Sequence, residues 1–385
     1  MIVAAFLLIG LFAASTVIIH VLLFSSLFRL KRREQRLNTG KTDMVFDSAV
    51  SVIIPARNEE AALPRLFASL ERQMDSIFEV VFINDRSEDA TQLLLGDFQK
   101  MFGEKVKIVT LTSHPQNSGF NPKQYALLQG IEAASGDIFL FTDADCTVPN
   151  GWVNRMCSFF QDPGVGLCIG PIQTEGEGAF LYRYQYFDHI FRYFYTAGSA
   201  GLGMPTGGFG NNLAVRKEAL DAIGGYRAIG YSVTEDAALI VAVRDKTDFT
   251  IAAATSSESA VTALPQHSWS VLSKQERRWS YGAFRSPDPQ TVTGYAAMMI
   301  FLLAGFLAIP LTFAFRPFFI IIISTFSSML MTAAAGGISL GCSFRKYWLF
   351  LIPNIFFSSL FYTFNNILSF VNIPITWKGK ALDKM

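Results

Sequence analysis

The sequence predicts an α/β fold, in which a block with a mostly parallel β-sheet is accompanied by helices that cross a membrane. Short apolar runs at residues 50–55, 80–83, 106–109 and 138–141 are separated by segments with helical spacing, and this alternation is typical of parallel sheets. The rest of the chain contains long stretches almost without charge, so that 51% of the residues are hydrophobic and only 16% are charged. This composition argues against both a purely soluble enzyme and a pure transporter.

Four stretches are long enough to cross about 30 Å of hydrocarbon as helices. They are residues 2–28, 295–315, 318–338 and 348–371. The first has no basic residue before its apolar run and is too long for a signal peptide, so we expect a membrane anchor. Five basic residues follow it, and the positive-inside rule then places the block at residues 49–260 in the cytoplasm, at an inner or plasma membrane. These residues are Arg29, Lys31, Arg32, Arg33 and Arg36.

The carboxyl-terminal tail conflicts with the same rule. Four spans would place Lys378, Lys380 and Lys384 on the opposite side of the membrane from the first basic cluster. Either the tail breaks the rule or one segment is re-entrant. The segment at 348–371 is the candidate for an irregular span because it contains Pro353.

Several classes of binding site are disfavoured. The net charge of +1 gives no electrostatic case for a nucleic-acid partner. No G-x-G-x-x-G follows the first predicted strand, which argues against a dinucleotide site, and the sequence has no Walker A motif. The four cysteines show neither paired nor metal-ligand spacing, so we expect free thiols in a reducing compartment. They are Cys146, Cys157, Cys168 and Cys342.

Asp143 and Asp145 directly follow the apolar run at 138–141. Side chains at i and i+2 of an extended segment share a face, and two close carboxylates repel each other unless a cation lies between them. Mg²⁺ or Mn²⁺ prefers oxygen ligands and shares them with substrate phosphates, so the pair predicts a metal site. A solvated turn rich in aspartate is the alternative interpretation.

Polar residues also follow the first two predicted strands, namely residues 55–59 and Asp85. Ligands of parallel sheets bind at the carboxyl ends of the strands, so we expect these residues and the aspartate pair to form one nucleotide pocket. Between the strands, helical spacing predicts helices at 63–70 and 125–134, and Ser87 is a predicted N-cap.

Two further segments are candidates for the site. The glycine-rich stretch at 207–212 predicts a loop where backbone approaches a ligand, and a flexible turn is the alternative. Glu235 and Asp236 follow Thr234 at the start of a helical segment. They are either acids stabilised by the helix dipole or include a catalytic base.

The segment before the second apolar span contains Gln275, Arg278 and Trp279, which share one face of a helix. Arginine suits a diphosphate and tryptophan offers a stacking surface, while a basic and aromatic membrane anchor is the alternative. The strongly aromatic stretch at 180–195 fits a core helix as well as a helix at the membrane interface or along an apolar groove.

These motifs together resemble the membrane-integrated branch of the family 2 glycosyltransferases, which have a GT-A fold. The resemblance covers residues 50–279, and the motifs occur in the family's order. This sequence has Asn84 and Arg86 where the family pattern has Asp and Gly. The matching residues are Pro55, Ala56, Arg57 and Glu59 at the first strand end, Asp85, Lys123, the D-x-D pair Asp143 and Asp145, the E-D pair Glu235 and Asp236, and the Q-x-x-R-W residues Gln275, Arg278 and Trp279.

The resemblance implies inverting transfer of a hexose, with glucose preferred, from a UDP-sugar to an acceptor hydroxyl. It implies that Asp145 is the main ligand of Mg²⁺ or Mn²⁺, that Asp143 faces the ribose and diphosphate, and that Asp236 is the base. Asp85 and Glu59 would read the uracil. Gly208, Asn211 and Asn212 are further expected substrate contacts.

The expected acceptor is a lipid-like hydroxyl of a carotenoid, sphingolipid or glycerolipid, because few spans are available for a polymer channel. The tail at 375–380 is also similar to that of carotenoid and ceramide-type glucosyltransferases. A processive polysaccharide synthase and an inactive membrane scaffold are the alternatives. The expected organisation is an anchor at 1–28, a basic linker at 29–48, a GT-A domain at 49–260, an interfacial helix at 261–290, a membrane region at 291–372 and a basic tail at 373–385.

Overall fold

The computed structural model describes residues 2–39, 48–114, 118–176, 178–342, 344–371, 376–377 and 380–381. The helices are α1 (Ile2–Thr39), α2 (Leu63–Glu71), α3 (Thr91–Phe102), α4 (Pro122–Ala133), α5 (Trp152–Cys157), α6 (Phe180–Gly201), α7 (Lys217–Ala222), α8 (Glu235–Lys246), α9 (Trp269–Phe284), α10 (Pro289–Ala314), α11 (Phe319–Ser339) and α12 (Phe344–Ser369). The strands are β1 (Val50–Ala56), β2 (Glu79–Asp85), β3 (Val106–Leu111), β4 (Ile138–Phe141), β5 (Cys146–Thr147), β6 (Val165–Ile169), β7 (Ile172–Thr174), β8 (Leu213–Arg216), β9 (Thr250–Ala253), β10 (Val261–Ala263), β11 (Thr376–Trp377) and β12 (Lys380–Ala381).

The chain forms two compact units. The first, here called the membrane unit, comprises Met1–Arg29, Gly176–Met204 and Gln266–Lys384. The second, here called the sheet unit, comprises Leu30–Glu175 and Pro205–Pro265. The expected domain at 49–260 is therefore interrupted, because α6 packs with α11 and α12 of the membrane unit.

The sheet unit is built on a seven-stranded sheet with the order β3-β2-β1-β4-β8-β6-β9. Strands β1 to β4 run parallel, and β8 is antiparallel to both β4 and β6. The four apolar runs predicted as strands are confirmed, and the α/β class with mostly parallel strands is confirmed with them. Ile53 of β1 pairs with Val81 of β2 and with Phe141 of β4, so the carboxyl ends of these strands lie at the same edge of the sheet.

Two predicted helix starts differ from the structure. Helix α4 begins at Pro122, three residues before the expected 125, because Asn121 forms a capping box with Gln124. Helix α3 begins at Thr91 without a side-chain cap, so the prediction of Ser87 as its N-cap is wrong. The Ser87 hydroxyl instead accepts a hydrogen bond from the Asn58 N–H at 3.0 Å.

The predicted linker at 29–48 is shorter than expected, because α1 continues as a helix to Thr39. Within the sheet unit, Glu34 of this extension is buried, and its Oε2 accepts a hydrogen bond from the Thr255 N–H at 2.6 Å. Arg33 forms an ion pair with Asp162 at 2.9 Å. The remaining linker residues 40–47 and most of the basic tail lie outside the described residues.

Three helices of the described chain are long and apolar enough to cross a membrane, at Val3–Leu37, Pro289–Ala314 and Arg316–Ser339. The fourth expected span is not one of these three, although it forms the helix α12. The expected irregularity of this segment is not observed, since α12 is assigned as one helix with Pro353 inside it.

Helix α6 carries the aromatic stretch, and its side chains form part of the core of the membrane unit. Tyr184 and Phe194 are both fully buried. The Tyr184 ring contacts Trp269 and Phe361, with centroid distances of 5.4 Å to each. The core interpretation of this stretch therefore accounts for most of its aromatic residues.

Helix α4 can approach the sheet because Gly130 has no side chain. A Cβ at Gly130 would lie 2.5 Å from Ile83 Cδ1 and 2.7 Å from Ile53 Cγ2. In α3, a Cβ at Gly96 would meet nothing within 4 Å. The same glycine-to-alanine change should therefore have opposite effects in these two helices.

We predict that Gly130→Ala destabilises the protein by about 1–3 kcal/mol through overpacking. Gly96→Ala should stabilise it by about 0.5–1 kcal/mol, because alanine loses less backbone entropy in a helix. Denaturant titration of the detergent-purified variants measures both free energies of unfolding. Equal stabilisation by the two changes would show that α4 does not need the close approach.

Candidate active site

The loops that follow β1 and β2 are joined to each other by hydrogen bonds. The Asn58 N–H donates to Ser87 Oγ, and the Glu88 N–H donates to Asn58 Oδ1 at 2.8 Å. The Glu59 N–H donates to Thr91 Oγ1, also at 2.8 Å. Two neighbouring strand ends thus form one connected surface, at the edge where ligands of parallel sheets bind.

Asn58 and Arg86 both have positive φ angles, of 54° and 55°. Asparagine tolerates the left-handed region, whereas arginine rarely adopts it. The family pattern has glycine at the position of Arg86, and this backbone conformation gives the physical reason. The loop therefore keeps the left-handed geometry although the glycine is replaced.

Asp85 is held between two arginines, and its side chain is only 4% exposed. Arg86 Nε lies 2.7 Å from Asp85 Oδ1, and Arg57 Nη1 lies 3.8 Å from Asp85 Oδ2. Arg86, which departs from the family pattern, is a contact of Asp85 that the sequence did not predict. The departure itself was the signal that could have identified the residue.

Lys123 brings together two of the predicted acidic residues. It is the second residue of α4, and its Nζ lies 3.0 Å from Asp143 Oδ1 and 3.4 Å from Glu235 Oε1. Glu235 is buried, while Asp143 is partly exposed at 30%. The ammonium group thus offsets two carboxylates that originate from the end of β4 and the start of α8.

Asp145 follows Asp143 by two residues in the sequence. It contacts Cys146, which in turn contacts Asn211 of the glycine-rich loop. The Cys146 thiol lies 3.6 Å from Asp145 Oδ1, and Asn211 Nδ2 donates a hydrogen bond to Cys146 Sγ at 3.3 Å. Burial, followed by the charges of Asp145 and Asp143, raises the pKa of Cys146 well above its usual value. The thiol is therefore protonated and does not act as a nucleophile.

Asp236 is positioned by backbone N–H groups at the start of α8. The Gly210 N–H donates to Asp236 Oδ2 at 3.0 Å, and the Ala237 N–H donates to Asp236 Oδ1 at 2.8 Å. Gly210 is the neighbour of Asn211, so the loop at 207–212 links the Asp236 carboxylate to the aspartate pair. Asp236 is half-buried, which leaves part of the carboxylate accessible.

Two other predicted contacts in this loop have structural partners. Asn212 is fully buried, and its side chain bonds to Trp152, Pro171 and Ser259 at 2.9, 2.6 and 2.8 Å. A Cβ at Gly208 would lie 2.7 Å from Ile240 Cδ1, so this glycine permits close packing. Both residues thus support the loop that presents Gly210 and Asn211.

The remaining predicted residues lie on two different elements. Pro55 and Ala56 are the last residues of β1 in the sheet unit. Gln275, Arg278 and Trp279 lie on α9 in the membrane unit, and all three are partly buried. Their helical spacing is as predicted.

The donor groups fit a hard divalent cation that is shared with a ligand. Asp143 and Asp145 supply carboxylate oxygens, whereas the described residues contain no group of three or more His, Cys, Asp or Glu side chains that could hold a metal. A site with two carboxylates cannot enclose Mg²⁺ or Mn²⁺ alone, and such ions commonly complete their coordination with water and substrate phosphates.

The seven-stranded, mostly parallel sheet has the GT-A fold, and three apolar helices of the described chain are long enough to cross a membrane. The chain belongs to glycosyl transferase family 21, whose family model matches residues 9–384. The predicted resemblance to membrane-integrated GT-A glycosyltransferases is thereby confirmed.

Two curated relatives are similar to parts of the chain. A "Beta-monoglucosyldiacylglycerol synthase" from Synechocystis sp. is 25% identical over 264 residues, which are 65% of this chain and 50% of the relative. A "4,4'-diaponeurosporenoate glycosyltransferase" from Staphylococcus haemolyticus is 36% identical over 102 residues, which are 26% of this chain and 25% of the relative. The chain thus spans half or less of the length of these relatives.

A solved structure covers most of the chain. It is a mannosyltransferase from Pyrobaculum calidifontis in complex with GDP-Man and Mn²⁺, with a TM-score of 0.51 and 16% sequence identity. The similarity covers 92% of this chain and 99% of that chain. At this identity the likeness shows the shared fold.

The contact between Lys123 and Asp143 leads to a prediction for metal binding. Lys123 competes with any cation for Asp143, so Lys123→Met should raise the affinity for free Mn²⁺ about fivefold, equivalent to about 1 kcal/mol. Titration followed by Mn²⁺ electron paramagnetic resonance measures this affinity. The exposed Lys100, which pairs with Asp97 on α3, provides the control variant Lys100→Met. An unchanged affinity in Lys123→Met would show that Asp143 does not bind the cation.

Proposed function

We propose that this chain transfers a hexose, with glucose preferred, from a UDP-sugar to the hydroxyl of a membrane lipid. The observation that carries the proposal is the convergence of Asp143, Lys123 and Glu235 at the carboxyl edge of the sheet, with Asp236 directly beside Glu235. Family 21 membership supports sugar transfer as the reaction class.

The nucleotide is bound at the joined loops after β1 and β2. Asp85 and Glu59 lie in or beside these loops, and the Asp85 carboxylate can accept a hydrogen bond from the N–H of uracil. Arg57 and Arg86 hold Asp85 in place. The fixed orientation of this acceptor supports recognition of a base that presents an N–H donor.

Mg²⁺ or Mn²⁺ would be held chiefly by Asp145, with Asp143 towards the ribose and diphosphate. When bound, the cation offsets the negative charge that develops on the departing diphosphate. Lys123 lies beside Asp143 and supplies a fixed positive charge in the same place. The charge of Lys123 thus supports a site for a diphosphate leaving group.

Asp236 acts as the base that accepts the proton of the attacking hydroxyl. The N–H groups of Gly210 and Ala237 donate to its two oxygens and hold the carboxylate in place. Glu235 is buried and pairs with Lys123, so its role is to position the lysine. Attack by the hydroxyl on the anomeric carbon would then proceed with inversion.

The acceptor is a lipid-like alcohol such as a glycerolipid, a carotenoid or a sphingolipid. The names of both curated relatives support a lipid-like acceptor. The name "Beta-monoglucosyldiacylglycerol synthase" also supports a hydroxyl, whereas a diaponeurosporenoate is a carboxylate. Trp279 offers an aromatic surface to the acceptor, and Gln275 and Arg278 lie on the same helix. The cytoplasmic location of the sheet unit rests on the basic residues at 29–36.

Asp236→Asn tests the assignment of the base. We expect turnover to fall about 10²- to 10⁴-fold, because the amide cannot accept the proton, while the nucleotide still binds. Asp245→Asn is the matched control, since Asp245 lies on the same helix, is 51% exposed and pairs with Arg244. Initial rates and equilibrium binding of UDP measure the two properties. Unchanged turnover in Asp236→Asn would remove Asp236 from the mechanism.

Incubation of membranes with labelled nucleotide sugars, followed by solvent extraction, tests the overall reaction. We expect label from UDP-glucose in the lipid phase. Label in an insoluble polymer would instead identify a polysaccharide synthase. If no sugar is transferred from any donor while the nucleotide binds, the inactive-scaffold alternative is correct.

A further inference from the structure

A buried cluster of charged residues lies within the membrane unit, between α6 and α9. Arg192 Nε lies 2.6 Å from Asp188 Oδ2, and Arg192 Nη2 also donates to Glu276 Oε2. The three side chains are 16%, 12% and 1% exposed for Arg192, Asp188 and Glu276, respectively. Two carboxylates on different helices therefore fix one guanidinium group from two directions.

The same guanidinium group stacks on the tryptophan of the Q-x-x-R-W motif. Arg192 Cζ lies 4.6 Å from the centroid of the Trp279 ring and 5.9 Å from that of Tyr362 on α12. Both distances are within the range of cation–π interactions, which are strongest with tryptophan. Glu276 is three residues before Trp279, so the two side chains share one face of α9.

Stability alone does not explain this cluster. Buried ion pairs often contribute little, because the cost of removing charges from water offsets their attraction. Within the part of the chain that the structure describes, Glu276 Oε1 and the Tyr184 hydroxyl are buried without a hydrogen-bond partner. The cluster is therefore not optimised as a fully satisfied polar network, although it fixes the geometry of Arg192 closely.

We propose that Arg192, fixed by Asp188 and Glu276, is a positioning residue that holds the indole of Trp279 in place for the lipid acceptor. The guanidinium group covers one region of the ring, and Trp279 is only partly buried, so another region stays accessible. This inference rests on the proposed function, because the occupant of the accessible surface is the acceptor lipid.

Arg192→Lys tests the proposal, because lysine keeps the charge but lacks the planar group that stacks on an aromatic ring. We expect the KM for the lipid acceptor to rise about tenfold, with the KM for the nucleotide sugar unchanged. Arg285→Lys is the matched control, since the exposed Arg285 stacks on Tyr281 of the same helix at 3.7 Å. Arg285→Lys should leave both KM values unchanged.

A double-mutant cycle separates positioning from a general structural role. In a Trp279→Phe background, Arg192→Lys should raise the acceptor KM less than it does in the wild-type background. An equal rise in both backgrounds, or an equal rise in both KM values, would overturn the proposal.

If Arg192→Lys does not fold, Asp188→Asn provides a second variant, because it weakens the ion pair that holds Arg192 and should give a smaller rise in the acceptor KM alone. An unchanged acceptor KM in that variant would also overturn the proposal.

A readout without turnover distinguishes this inference from the proposed function. The difference in fluorescence between the wild type and Trp279→Phe reports on Trp279, and its quenching by acrylamide reports on the accessibility of the ring. Arg192→Lys should increase this quenching, while Arg285→Lys should not. If the wild type transfers no sugar to lipids, the proposed function fails, and the quenching still decides whether Arg192 positions Trp279. Unchanged quenching would contradict the positioning role.

Discussion

The contacts of Lys123 with Asp143 and Glu235 are the interaction on which the candidate site depends. Acidic residues close together at one edge of a sheet repel each other unless a positive charge lies between them. Lys123 supplies that charge at the start of α4, and the capping box of Asn121 and Gln124 fixes this first turn. Gln124 also donates a hydrogen bond to the Gly230 carbonyl, so the helix start is tied to the segment that precedes Glu235.

In the glycine-rich loop at 207–212, Asn212 anchors the backbone, whereas Gly210 and Asn211 contact residues of the candidate site. Asn212 is fully buried, and its Nδ2 donates both of its hydrogens, to the carbonyls of Pro171 and Ser259, while its Oδ1 accepts from Trp152 Nε1. Asn212 anchors the two residues before it. The Gly210 N–H donates to Asp236, and the Asn211 side-chain amide donates to Cys146. The loop can therefore hold the proposed base and the aspartate pair in fixed positions without a side chain at Gly210.

The strands and the acidic motifs could be predicted because their signals are local. The apolar run at 138–141 ends directly at Asp143, and both facts lie within a few adjacent residues. The Ser87 cap failed because its hydroxyl bonds to Asn58, which is distant in sequence. The contact of Arg192 with Glu276 joins residues 84 positions apart, and no local pattern indicates it. Local patterns therefore predict the candidate site residues, whereas the contacts that support these residues depend on tertiary structure.

Two buried glutamates show how their surroundings decide the role of a charge. Burial raises the pKa of Glu79, but hydrogen bonds from Lys107, Ser135 and Ser51 outweigh it, so its pKa is below the usual value. Burial raises the pKa of Glu276 to about 8, because Arg192 offsets only part of the cost and Asp188 adds to it. Glu276 is thus costly to bury as a charge, yet it bonds to Arg192, and this contact fixes the guanidinium group against Trp279 within the buried cluster.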